Sequence, residues 1–131
     1  MQHPRVTAMV LCHVAHQDVA SKLFTIREIF TTFAFPPKPG LRLPQCFLYV
    51  AIEPAAERGT LSLHIEMGNG GAAGLPLWQC PPFKFESPQF VYRLTGIEIP
   101  VPAQYCVIVK HEGVALSWIR LFDAESPPPS K

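Results

Sequence analysis

Residues Thr60–Met67 read Thr-Leu-Ser-Leu-His-Ile-Glu-Met, and from Leu61 onward every second residue is apolar. Successive side chains of a β-strand point to opposite faces, so this alternation predicts a strand with one buried face and one wet face. The expected buried face carries Leu61, Leu63, Ile65 and Met67, and the wet face carries Ser62, His64 and Glu66. This is the most regular alternation in the chain.

Less regular runs of the same period occur on both sides of this stretch. They cover residues 5–13, 22–33, 45–53, 75–80, 83–86, 89–99, 105–110 and 116–121. In the first run, the period places Val6, Ala8, Val10 and Cys12 on one face. The number and spacing of the runs predict an all-β chain, a single antiparallel β-sandwich of seven to eight strands with an Ig-like or C2-like outline. We expect the domain to span residues 1–124 and residues 125–131 to form a disordered Pro-rich tail.

The composition argues against several other classes of protein. Fifteen of the 131 residues are proline, and a proline inside a helix costs about 3 kcal/mol, which disfavours helical bundles, coiled coils and doubly wound α/β folds. The net charge is only +1 and no two basic residues are adjacent, so nucleic-acid binding has no electrostatic support. Because we find neither a membrane-spanning apolar run nor a signal peptide, we expect a cytoplasmic protein without a membrane or nucleic-acid partner.

Cys12, His13 and His16 form the one candidate cluster for metal binding or catalysis. We expect the two histidines to lie at a strand end and in the following loop, where no third ligand is held in place, so solvated histidines are the favoured interpretation. Cys12 and His13 are neighbours in a strand and point to opposite faces, which is a poor arrangement for a thiolate–imidazole pair. We therefore expect no catalytic residues, no metal and no cofactor.

Other motifs also favour structural interpretations. The glycine-rich stretch from Gly68 to Gly74 lacks a following Gly-Lys-Ser/Thr and predicts a hairpin turn rather than a phosphate-binding loop. No Cys-x-x-Cys pair is present, so all four cysteines are expected to be buried, reduced thiols. Five aromatic residues could line a ligand groove, but their period-two positions are more typical of a core: Phe47, Tyr49, Tyr92, Tyr105 and Trp118.

Several stretches together resemble an uncharacterised family of small bacterial β-sandwich proteins, a domain of unknown function. They are residues 7–13, 21–23, 29–30, 35–36 and 94–100, and the pattern of Tyr105, Gly113 and Leu116 in the last hairpin. The resemblance implies a β-sandwich in a bacterial cytoplasm, without a substrate or catalytic residues. One departure stands before Ile29-Phe30, where a glycine is expected and this chain has Arg27-Glu28. We infer that the backbone there needs no close approach or bulge.

These observations predict a non-catalytic protein-interaction or structural module, with self-association as one form of that activity. The low charge and the run at 45–53, which is apolar on both faces, motivate this prediction because exposed apolar area on a small domain usually marks an interface. The alternative is a small-ligand or metal binder, or an enzyme, that uses the region of Cys12, His13 and His16. A structural component linked to a phage or an operon is a third possibility.

Overall fold

The computed structural model describes residues 3–34, 37–53, 59–68, 75–84 and 88–122. Within these ranges the chain is all-β and forms no helix. The strands are β1 (Arg5–Gln17), β2 (Phe24–Phe30), β3 (Leu41–Arg42), β4 (Cys46–Glu53), β5 (Thr60–Met67), β6 (Leu75–Gln79), β7 (Phe83–Lys84), β8 (Gln89–Leu94), β9 (Glu98–Ile99), β10 (Tyr105–His111) and β11 (Val114–Arg120).

The strands form three antiparallel sheets. The first sheet has the order β2-β1-β4-β8, and the second has the order β11-β10-β5-β6, with β7 pairing to β5. The third is the short pair β3-β9. The expected antiparallel all-β class is confirmed, although the described residues contain eleven strands in three sheets. One expected strand, 89–99, is divided into β8 and β9 because Gly96 adopts a left-handed φ of 71° between them.

A single cluster of buried side chains joins the two larger sheets. Alternate residues of β4, β5 and β10 supply most of it: Cys46, Leu48, Val50, Ile52, Leu61, Leu63, Ile65, Tyr105, Val107 and Val109. Each fully buried aliphatic side chain of this kind stabilises the fold by roughly 1.5–3 kcal/mol. The expected strand Thr60–Met67 is therefore confirmed with both its ends and its buried face.

The face assignment for the first strand is wrong. The pairing of β1 with β4 shifts register between Val6 and Ala8, which leaves Thr7 as an extra residue. A bulge of this kind exchanges the two faces of the strand beyond it. Val6 consequently packs with the core beside Ile52, whereas Ala8, Val10 and Cys12 face away from it.

The inference about Arg27-Glu28 is also wrong. Glu28 adopts a φ of 56° inside β2, in the left-handed region that glycine enters without steric cost and other residues do not. The backbone at Glu28 therefore does have the special conformation that a glycine would favour. The strand itself is shorter than expected, since Lys22 and Leu23 belong to the preceding turn.

The last hairpin follows its expected course. Its turn is formed by Glu112 and Gly113, with φ values of 49° and 81°, which match the two-residue turn that suits twisted strands. The connection at residues 54–58, the glycine-rich residues 69–74 and the tail 125–131 lie outside the described residues. The strands that flank 69–74 pair antiparallel, with Met67 opposite Leu75.

Candidate interaction surface

The structure places His13 and His16 within β1, which continues to Gln17 rather than ending at residue 13. His13 and His16 are three residues apart in a strand and so project from opposite faces. The ring of His13 stacks on Phe30, with centroids 4.6 Å apart. The two histidines are therefore not brought together.

Cys12 is separated from both histidines by burial. Its side chain is fully buried, and burial raises the pKa of its thiol. Burial, with a smaller effect from Cys12, also raises the pKa of Cys46 to about 11. A protonated thiol is a poor nucleophile and a poor metal ligand. None of the four cysteines forms a disulfide, and all are buried as expected.

A dense set of hydrogen bonds orders the tip of the β1–β2 hairpin, residues 17–23. The Asp18 carboxylate accepts the Ser21 amide at 2.7 Å, and the Asp18 carbonyl accepts the Lys22 amide at 2.9 Å. The Asp18 amide donates to the Leu23 carbonyl at 2.9 Å, and Gln17 Nε2 donates to the Lys22 carbonyl at 3.0 Å. The Leu23 amide donates to Ser21 Oγ at 3.3 Å. These bonds hold the turn in one conformation.

This ordered turn presents two aliphatic side chains to solvent. Val19 is 84% exposed and Leu23 is 63% exposed, the two largest exposures among the large apolar side chains of the described residues. Side chains held in place before binding lose less conformational entropy on association. The hairpin tip therefore has the properties of a preorganised apolar contact element.

The second apolar surface is the outer face of the first sheet, which we define as the side turned away from the core. In the registers of β1, β4 and β8 it consists of Ala8, Val10, Cys12, Phe47, Tyr49, Ala51, Gln89, Val91 and Arg93. Only Gln89 and Arg93 in this set are polar, whereas the second face of an antiparallel sheet is commonly solvated and polar. All of its apolar members except Cys12 are half-buried. The apolar pattern expected for both faces of β4 is therefore present in three neighbouring strands.

The hairpin bends back over this outer face. Phe24 pairs with Gln17, whereas Tyr49 pairs with Val10, seven residues earlier on β1. A straight strand would separate those positions by about 23 Å, yet the rings of Phe24 and Tyr49 lie 6.3 Å apart at an interplanar angle of 70°. The left-handed Glu28 lies between the two ends of this hairpin and contributes to the bend.

The outer side of the second sheet carries a polar network instead. Ser62 Oγ lies 2.8 Å from His64 Nε2, and Lys110 Nζ lies 3.1 Å from Glu66 Oε2. Burial, together with the charge of Lys110, lowers the pKa of His64. These four groups satisfy one another, so this face is not an open site.

The aromatic residues divide between the core and the surface. Tyr105 is buried, and Tyr92 packs against the core. Phe47 and Tyr49 belong to the outer face, and Trp118 is 42% exposed on the second sheet. The interpretation of these aromatics as core residues therefore holds for two of the five.

Sequence reasoning missed Val19, Leu23 and Phe24 as surface-forming residues. Asp18 and Ser21 are three residues apart, the spacing at which an aspartate side chain caps a turn. That signal locates the turn, but the exposure of Val19 and the contact of Phe24 with Tyr49 depend on how the hairpin bends.

Comparisons with known proteins give no family assignment. Neither a scan against protein-family models nor a search of curated proteins finds a match to this chain. Within the described ranges, no helix is long and apolar enough to cross a membrane. The same ranges contain no group of three or more His, Cys, Asp or Glu side chains that could hold a metal ion.

Proposed function

We propose that this chain is a non-catalytic interaction module that self-associates through the tip of its β1–β2 hairpin. The observation that carries the proposal is the ordered turn that holds Val19 and Leu23 in solvent. Exposing two aliphatic side chains from a rigid turn has no benefit for the isolated fold, whereas burying them on association removes apolar surface from water.

The proposal includes a two-layered β-sandwich of seven to eight principal strands with an Ig-like or C2-like outline, the short β3–β9 pair and other brief ladders being additions to it. The shared core of the two larger sheets supports this architecture. It also includes the bacterial, cytoplasmic setting and the membership of the uncharacterised β-sandwich family that the sequence resemblance implies.

A second copy is the favoured partner because the chain carries both kinds of surface that such a contact needs. The hairpin tip is a small apolar projection, and the outer face is a broad apolar surface. The net charge of +1 also places little electrostatic repulsion between two copies.

The alternative site at Cys12, His13 and His16 has less support. The histidines project from opposite faces of β1, and the buried thiol of Cys12 has a raised pKa. A ligand would have to rearrange the strand to contact all three.

Light scattering after size exclusion tests the proposal on three proteins. We expect the unmodified chain to form dimers at high concentration, Val19→Ser/Leu23→Ser to be monomeric, and Val114→Ser to remain dimeric. Val114 is the matched control, since it is 47% exposed in a different hairpin. Circular dichroism confirms that each variant is folded. A strictly monomeric unmodified chain, or a tip variant that dimerises as well as the unmodified chain, would overturn the proposal.

A further inference from the structure

We infer that the surface receiving the hairpin tip is the outer face of the first sheet of a second copy, so that two chains dock reciprocally. This inference rests on the proposed function and names its partner surface. In such a dimer, Val19 and Leu23 of each copy contact the apolar side chains of the other copy's outer face. Each chain supplies one tip and one face.

The first argument is a contact within the chain itself. The ring of Phe24, next to Leu23 in sequence, already packs against Tyr49 of the outer face. The same hairpin leaves Val19 84% exposed. The outer face therefore accepts side chains from this hairpin, but a chain does not bury its own tip on its own face. The tip is available to a second copy.

The second argument is the match of chemistry between the two surfaces. The tip pairs its apolar side chains with the Asp18 carboxylate, whose pKa is lowered mainly by the backbone hydrogen bond from Ser21. The outer face pairs its apolar side chains with Arg93, which is exposed and forms no ion pair with another described residue. An anionic, apolar projection thus meets a cationic, apolar face, and this complementarity favours one orientation of docking.

The third argument is closure. A contact between two different surfaces of one chain produces either an open chain of molecules or a closed ring. Two reciprocal contacts across a two-fold axis close at the dimer and leave neither surface open. The inference therefore gives a dimer rather than a polymer.

Disulfide trapping tests the inference directly. A Val19→Cys chain and a Val91→Cys chain, carrying tags of different size, are mixed and mildly oxidised, and the products are separated by mass. Val91 is a half-buried member of the outer face. The native cysteines are all buried and do not compete for oxidation. The control partner is Val114→Cys, because Val114 is exposed but lies on β11.

We expect the main product to be the mixed disulfide that joins a Val19→Cys chain to a Val91→Cys chain, and the Val114→Cys control to remain unlinked. Arg93→Glu is expected to weaken dimerisation by roughly two- to fivefold, in a manner that salt reduces. Predominant linkage of two Val19→Cys chains to each other, or mixed linkage no stronger than with the control, would overturn the reciprocal docking. Self-association through the tip is judged separately by Val19→Ser/Leu23→Ser, so the two proposals fail on different measurements.

Discussion

The carboxylate of Asp18 accepts a hydrogen bond from the backbone amide of Ser21 at 2.7 Å, across the turn that connects β1 to β2. A second, weaker effect on the carboxyl comes from the Ser21 side chain, and both lower the pKa of Asp18. The side chain itself is exposed. Its contribution is therefore local, to the order of the hairpin tip.

Replacing Asp18 with alanine is expected to lower the thermal stability of the protein at pH 7, because the Ser21 amide loses its acceptor. The folded-state pKa lies below the unfolded value of 3.8, so this contribution is complete well above pH 3.8 and is lost as the pH falls through the folded pKa. Thermal melts of the two proteins should therefore converge in acid. Asp18→Asn retains an acceptor and is the control. A difference that persists unchanged at pH 2 would contradict this assignment.

Glu28→Gly is expected to stabilise the protein by about 1 kcal/mol, because a left-handed residue with a Cβ costs roughly 1–2 kcal/mol and glycine does not incur that cost. The control is Arg27→Gly, one position earlier in β2, where φ is not positive. That change should destabilise by roughly 0.5–1 kcal/mol. Chemical denaturation measures both. A destabilised Glu28→Gly protein would show that the Glu28 side chain contributes more than its backbone conformation costs.

Gly59→Ala is expected to destabilise the protein by roughly 1–3 kcal/mol. A Cβ at this position would overlap Glu112 Oε1 and lie 2.8 Å from Nε2 of the buried His111, at a φ of 66°. The same Glu112 oxygen accepts the Thr60 amide at 2.8 Å, so moving it away breaks a hydrogen bond.

Gly40→Ala separates the two causes of that loss. Gly40 has a similar φ of 74°, but a Cβ there would meet no atom within 4 Å. Its destabilisation should reflect only the left-handed conformation, about 1 kcal/mol. Equal losses in the two variants, measured by urea denaturation, would show that crowding at Gly59 is unimportant.

Lys110→Gln is expected to raise the pKa of His64. Burial lowers that pKa first and the positive charge of Lys110 lowers it further, while Glu66 acts in the opposite direction. Because the folded pKa lies below the unfolded value of 6.5, the stability associated with neutral His64 is present above pH 6.5 and declines as the pH falls below it. Titration of the imidazole signals by NMR measures the shift. Lys38→Gln, in an exposed loop, should leave His64 unchanged.

Much of the fold could be predicted because it depends on local alternation. The run Thr60–Met67 became β5 with unchanged ends, and the turn after His111 was located by Glu112-Gly113. In such segments, the sequence neighbours of a residue already state which face it occupies. The candidate cluster of Cys12, His13 and His16 shows the opposite case, since proximity in sequence did not bring its side chains together.

The surface that matters for association was only partly foreseeable. The apolar character of both faces of the run at 45–53 pointed to a covered or binding face, and that face exists in three strands. The hairpin tip escaped notice because valine and leucine at a strand end are equally typical of a core. Their exposure follows from the bend of the hairpin, which no local pattern encodes.

The sequence by itself determined the antiparallel all-β class, most strand positions and the burial of the four cysteines, because period-two alternation and turn residues act over a few neighbours. Only the tertiary structure decided that a bulge at Thr7 turns Ala8, Val10 and Cys12 away from the core, that Glu28 adopts a left-handed conformation, and that Phe24 reaches Tyr49. Each of these depends on the pairing register between strands distant in sequence. Register is set by the packing of the whole sheet, and a shift of one residue exchanges every face beyond it.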